Sequence, residues 1–270
     1  QPTSERSLIG AIIPPYTLHV NTIESVAFKS NRQLVNVAAL SSSLILDFFV
    51  RSSGLTHLFN SDVSRFPYEK LPFEAIKRIL KLNCLTIDFS DLWSSLITSV
   101  EVINWSQDSN ILTANSKHLL RTSWDESTPL RDHYSRRLAL LEIDVLVAMK
   151  FSLTEEELVQ IYTSDFSVLQ QNENATWYDQ DGQIVWTSSK GLPGVGYINQ
   201  KGKSPGRKEW ESILSSNPSE LACTVVDDTM PDGPHKVERR FIGPFFKCDR
   251  IEDYKRAWAH FEKLEQEGSL

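Results

Sequence analysis

Residues 131–162, RDHYSRRLALLEIDVLVAMK followed by FSLTEEELVQIY, restrict the fold more than any other part of the chain. Leu138, Leu141, Val145 and Met149 recur as one helical stripe, while Arg136, Arg137, Asp144 and Lys150 fall mostly off it. Thr154 followed by Glu157 has the form of a capping box, in which a hydroxyl and a carboxylate satisfy amides at a helix start. The stretch therefore predicts two consecutive helices with a short joint.

Other segments repeat the helical pattern. From Gln33 to Ser52, Leu34, Val37, Ala38, Leu44, Ile45, Phe48 and Phe49 fall at helical spacing, and Gly54 sits where a C-cap belongs. Pro72 suits the first turn of a helix running to about Leu85, and another is expected over 90–103. A final helix over 249–266 has Asp249 as N-cap, Glu252 three residues on, and Ile251, Tyr254, Trp258, Phe261 and Leu264 on one face. Strand signals are short. Residues 8–20 read as two strands broken at Pro14-Pro15, TWYDQDGQIVWTS as a hairpin about Asp181-Gly182, and 221–227 and 236–242 as strands. Helices with short antiparallel strands and hairpins, without β-α alternation, define an α+β fold of two packed subdomains. A polar stretch, 106–128, reads as a connector between a part at 1–105 and a part at 129–270.

Charged residues make up 23% of the chain and hydrophobic ones 40%, a balance that supports a folded core rather than disorder. No apolar run reaches the length of a membrane span. Cys84, Cys223 and Cys248 are far apart, which argues against a disulfide framework and fits a reducing, cytoplasmic setting. The chain opens at Gln1 rather than Met, as expected for a piece of a longer protein. A net charge of −7 means that any contact with nucleic acid must use a local basic patch.

Such patches exist. The segment SSKGLPGVGYINQKGKSPGRKEW, 188–210, interleaves five glycines with Lys190, Lys201, Lys203, Arg207 and Lys208. Glycines let backbone amides approach a phosphate and the cations neutralise it, although neither P-loop nor dinucleotide-binding spacing is present. A solvated surface loop is the alternative for the same composition. A second cluster, Arg51, Thr56, His57, Asn60 and Arg65, follows an apolar helix and carries groups able to reach base edges or phosphates.

Several chemistries are excluded or disfavoured. Pro14-Pro15-Tyr16 matches the tail of the signature of exocyclic-amine methyltransferases, but Ile13 stands where Asn or Asp must accept the amino protons. Pro231-Asp232 with Asp253-Tyr254-Lys255 loosely matches metal-dependent nucleases, yet residues two apart on a helix point in nearly opposite directions. The six histidines show no metal-binding spacing, and no nucleophile elbow occurs. No catalytic residue, metal ligand or cofactor is assigned to this chain.

Linked motifs carry a wider resemblance. AIIPPYTLHVNTIESVAF, the run from Val37 through FFVRSSGLTHL, LKLNCLTIDFSDLW, RRLALLEIDVLVAMKFSLTEEELVQIY, TWYDQDGQIVWTSSKGLPGVG and FKCDRIEDYKRAWAHF occur in order along nearly the whole chain. Together they resemble the C-terminal, target-recognition region of large bacterial type IIG-like adenine-N6 DNA methyltransferases of restriction–modification and phage-defence systems. The resemblance implies double-stranded DNA as partner, with Arg51 through Arg65 at the entry to the recognition region. It places the methyltransferase domain and its S-adenosylmethionine upstream in the parent. A module docking onto other defence-system proteins is the alternative, and a nuclease a remote one.

Overall fold

The computed structural model describes residues 4–20, 23–55, 58–189, 192, 194–229 and 231–270. The chain forms two compact units, the first made of Gln1–Arg131, Arg136–Leu169 and Arg250–Leu270, the second of Asp132–Ser135 and Gln170–Asp249. In chain order the elements are α1 (Asn31–Ser41), α2 (Leu44–Ser52), α3 (Asn60–Val63), α4 (Phe73–Asn83), α5 (Ser90–Leu96), β1 (Glu101–Val102), α6 (Asn110–Thr113), β2 (Leu119–Leu120), α7 (His133–Lys150), α8 (Glu155–Asp165), α9 (Ser167–Asn174), β3 (Thr176–Tyr178), β4 (Ile184–Thr187), α10 (Arg207–Ser215), β5 (Glu220–Asp227), β6 (His235–Ile242) and α11 (Arg250–Gln266). Among the described residues the strands pair only in twos, β1 with β2, β3 with β4 and β5 with β6, all antiparallel. The fold is α+β.

In the first unit the apolar run from Gln33 to Ser52 is two helices, because serine caps restart the chain. The Ser30 side chain accepts from Gln33 N and that of Ser43 from Leu46 N, and the two helices meet at 69°. The buried face of α1 is Val35, Asn36, Ala39 and Leu40 rather than the expected Leu34, Val37 and Ala38. Polar burial moves the stripe: the Asn36 carboxamide donates to Glu69 O and accepts from Leu71 N, both at 2.8 Å, so a polar residue faces inward with its bonds satisfied. Residues 8–20 form no strand; Ser7 and Ile12 hold this segment through side chains, their amides donating to Asp47 and Asn83. The helix expected over 90–103 stops at Leu96, and Glu101–Val102 pairs with β2 instead.

From Arg137 to Ala148 α7 is buried at every position but the half-buried Leu140, against the one-sided stripe expected of it. Glu142 and Asp144 are buried with the leucines and valines, and each is matched by a buried arginine. α8 begins with the expected capping box: Glu157 N donates to Thr154 Oγ1 at 3.2 Å and Thr154 N to Glu157 Oε2 at 2.8 Å. The stretch 106–128 is not a connector but part of the first unit. Ile111, Leu112 and Leu120 are buried, Ser106 N donates to Glu142, and Trp124 Nε1 donates to Cys84 O. The units are also discontinuous in sequence, since α11 completes the first. No single helix among the described residues is long and apolar enough to cross a membrane.

The second unit is built on tryptophan. Trp186 stacks on Trp210 with ring centroids 5.7 Å apart and planes 6° from parallel, while Trp177 meets Trp210 edge-on. Ala175, Val185 and Phe241 complete this core. The β3–β4 hairpin turns at the expected place, with Gly182 at φ 81° and the Asp179 carboxylate accepting from Asp181 N and Gln183 N. Burial holds the Asp179 carboxyl above its ordinary pKa despite these amide donors. Along β5 and β6 exposure alternates, so Leu221, Cys223 and Val225 turn inward and Ala222, Thr224 and Val226 outward.

A candidate nucleic-acid interface

The glycine- and lysine-rich segment belongs to the second unit and is fastened at several points. Tyr197 N donates to Val185 O, Trp186 Nε1 to Pro205 O, and Arg239 Nη1 to Gly194 O. Gly196 has to be glycine: its φ is 87°, and a Cβ would stand 2.5 Å from Val185 O. Asn199 then closes a tight turn. Its carboxamide oxygen accepts from Lys201 N at 3.0 Å and Lys203 N at 3.2 Å, and its nitrogen donates to Glu209 of α10 at 3.0 Å. A flexible solvated loop would lack these bonds.

The turn presents Lys201 and Lys203, and the start of α10 presents Arg207 and Lys208. All four are exposed, and none makes an ion pair with the described residues. Gly206 caps α10 without a side-chain acceptor, so the positive end of the helix dipole adds to the charge of Arg207 and Lys208. Together these groups form a local cationic patch on an acidic chain, able to hold phosphate oxygens without selecting bases. Lys190 lies outside the described residues.

The second expected cluster does not assemble in the same way. Arg51, expected at the DNA, is held inside the first unit. Nε reaches Asp47 Oδ1 at 2.9 Å, Nη1 donates to Asp165 O at 2.6 Å and Nη2 to Glu5 O at 2.9 Å, with the guanidinium 4.1 Å from the Phe166 ring centroid. It joins three chain segments and has no donor edge turned toward a base. Arg65 is exposed and makes no ion pair with the described residues. Thr56 and His57 lie outside the described residues, as does the side chain of Asn60. Arg51 and Arg65 belong to the first unit and the lysine-rich patch to the second.

Of the nuclease-like residues, Asp253 is engaged inside the first unit. Asp253 is buried, accepting from Arg137 at 2.7 Å and from Gln107 at 2.8 Å, whereas Lys255 is exposed and paired with Glu252 on the same helix. This is a structural ion pair rather than an open acid–lysine couple. All seven tryptophans are buried or half-buried, Trp93, Trp186 and Trp210 among the buried ones.

Two cavities occur. The larger, about 570 Å³ in the first unit, has mainly apolar walls including Ile79, Leu82, Phe89 and Leu140. Its polar groups are already used: Asn83 accepts from Ile12 N and donates to Ile79 O, and Arg136 donates to Leu82 O and Leu130 O. The smaller, about 320 Å³ in the second unit, is lined by His133, Gln183 and Arg239 beside Ile184, Val195 and Phe241. Sequence reasoning missed it, because Arg239 reads as an ordinary charged residue in a strand of alternating pattern. It also missed the buried charges of α4, α7 and α11, which an arginine-glutamate-aspartate count within apolar helices would have flagged.

No known protein family, curated protein or solved structure matches this chain.

Proposed function

We propose that this chain is the DNA-binding target-recognition portion of an adenine-N6 DNA methyltransferase of a restriction–modification or phage-defence system. It grips the duplex backbone and contributes no reacting group. The observation that carries the DNA contact is the exposed, unpaired cluster Lys201, Lys203, Arg207 and Lys208, held in a fixed turn by Asn199 on a chain of net charge −7. The methyltransferase assignment is supported by the ordered motif resemblance. In that assignment S-adenosylmethionine is bound by the parent's methylating domain, and the protein works in the cytoplasm. From the first unit Arg65 is exposed and able to reach the duplex, whereas Arg51 is held by Asp47, Asp165 and Glu5.

The test is duplex binding by the full protein across a salt series. Each phosphate neutralised contributes about 0.9 to the log–log salt slope, so replacing Lys201, Lys203, Arg207 and Lys208 by alanine lowers the slope by up to about 3 to 4. An unchanged slope and affinity would sink the phosphate-grip reading. Transfer of methyl groups by this 270-residue chain alone would sink the assignment as a recognition portion.

A second reading, a docking module for defence-system proteins, is favoured by one feature. Ile9, Tyr16, Leu18 and Val20 are 86%, 102%, 95% and 65% exposed, apolar side chains on either side of a turn at Pro15-Tyr16 with no strand partner among the described residues. Charged replacements at Tyr16 and Leu18 that abolish association with system partners while leaving DNA binding intact would favour this reading.

A further inference from the structure

The smaller cavity has the makings of an oxyanion site that is independent of the DNA reading. Arg239 is the central group. Its Nη1 donates to Gly194 O at 2.5 Å and, at a longer 3.4 Å, to Gly196 O, so the side chain is pinned to the turn that Gly196 packs against β4. Both tethers are neutral carbonyls. Arg239 forms no ion pair with the described residues, and its Nε and Nη2 make no hydrogen bond with them. Nε and Nη2 form the edge with which a guanidinium takes two oxygens of a phosphate or carboxylate at once.

The surroundings fit that edge. Gln183 supplies a carboxamide, and His133 an imidazole whose Nδ1 lies 3.0 Å from Gln183 Oε1. No carboxylate is among the lining residues. Arg240 also borders the cavity, but its guanidinium is turned to Glu238 at 3.1 Å and Glu220 at 3.9 Å, which leaves the grip to Arg239. Ile184, Val195 and Phe241 give the remaining wall, suited to an apolar or planar group attached to the anion. Within β6 the division of labour follows the strand period: Arg239 is half-buried on the inward side and Arg240 exposed on the outward side.

The geometry points to this cavity as a binding site for a phosphate group, with Arg239 as its bidentate anchor. A volume of about 320 Å³ takes a phosphate together with a small attached moiety and is far too small for a length of duplex. The phosphate is therefore a free phosphorylated small molecule or a single phosphate of a nucleic-acid end.

The experiment titrates the full chain with inorganic phosphate and with a nucleoside 5′-monophosphate by calorimetry, and then repeats the titration with acetate. Both phosphate probes are expected to bind, with acetate at least tenfold weaker. Arg239→Gln should weaken phosphate binding at least tenfold, and Arg239→Lys, which keeps the charge but not the fork, should fall between. Val195→Trp fills the cavity with Arg239 intact, and it should abolish binding of the mononucleotide, which guards against loss of the tether to Gly194 as the cause. Competition by a 5′-phosphorylated oligonucleotide assigns the phosphate to a nucleic-acid end, and its failure to compete assigns it to a free small molecule; the site stands in either case. No binding of either phosphate probe, acetate binding as tight as phosphate, or wild-type affinity in both Arg239→Gln and Val195→Trp would overturn the assignment.

Discussion

The Arg78 guanidinium and the Glu142 carboxylate stand 2.6 Å apart, Nε to Oε2, with neither side chain exposed to solvent. Glu74 takes Nη1 at 2.6 Å and Asn104 O takes Nη2 at 2.6 Å, while the second Glu142 oxygen accepts from Ser106 N at 2.7 Å. The rings of Trp105 and Phe261 lie 5.2 and 5.0 Å from the guanidinium. Burial alone would lower the Arg78 pKa, but Glu142 and Glu74 outweigh it and hold the group above its ordinary value. Each guanidinium nitrogen of this arginine is used, and α4, α7 and the 104–106 segment meet on it.

Removing one partner therefore leaves an uncompensated buried charge. Glu142→Ala is expected to cost about 3–5 kcal/mol in urea unfolding at neutral pH, and Arg78→Met combined with Glu142→Leu less than the single change. A single-variant cost below about 1 kcal/mol would show that water reaches the pair.

Lys81 is a buried cation of another kind. It is 1% exposed, Nζ donates to Lys117 O at 2.7 Å, and it makes no ion pair with a carboxylate among the described residues. Burial lowers its pKa from 10.5 to about 8, with Asp125 opposing from a distance. Below pH 8 both folded and unfolded chains carry the proton, and the folded state bears the full desolvation cost. Between pH 8 and 10.5 the unfolded chain holds more protons, so this group makes stability rise with pH. Lys81→Met should raise stability by about 1–3 kcal/mol at pH 7 and flatten that rise. A loss of stability at pH 7 would mean that the bond to Lys117 O outweighs desolvation.

Cys84 is fully buried, and burial pushes its thiol up to about 12, so almost no thiolate exists at neutral pH. Cys223 and Cys248 are half-buried. Iodoacetamide at pH 8 should label Cys84 at least tenfold more slowly than either in the native protein, with the difference vanishing in urea. Mass spectrometry of the tryptic peptides reads the outcome, and comparable native rates would contradict the burial of α4's end.

Local signals carried much of this fold. Thr154 and Glu157 announce α8 because both capping partners lie within four residues, and Asp181-Gly182 announces the hairpin for the same reason. What the sequence left hidden is non-local. Asp144 accepts from Leu44 N, Arg250 and Tyr254, partners 100, 106 and 110 residues away, so nothing near it explains a carboxylate in the middle of an enclosed helix. The division into units was illegible for the same reason, since it depends on α11 returning to α7 and α8. Within the candidate interface, composition located the lysine-rich turn but not the Asn199 bonds that fix it. It also could not separate Arg51, drawn inward by Asp47, from Arg65, left outside.

That separation gives a direct comparison between two kinds of arginine. Arg51→Gln strips one contact from Asp47, which is fully buried and keeps the Ser7 amide as its donor among the described residues, and releases the backbones of Glu5 and Asp165. The expected result is a loss of about 2–4 kcal/mol in unfolding free energy, because charge-assisted bonds and a buried carboxylate are both affected. Affinity for duplex and its salt slope should be unchanged at temperatures where the variant is folded. The four-alanine variant at Lys201, Lys203, Arg207 and Lys208 should behave in the opposite way, with stability within about 0.5 kcal/mol of the parent, since exposed cations without partners hold no part of the fold, and with a reduced slope. If Arg51→Gln relaxes sequence preference without loss of stability, the guanidinium reaches DNA after all, and its internal bonds must open when the duplex binds.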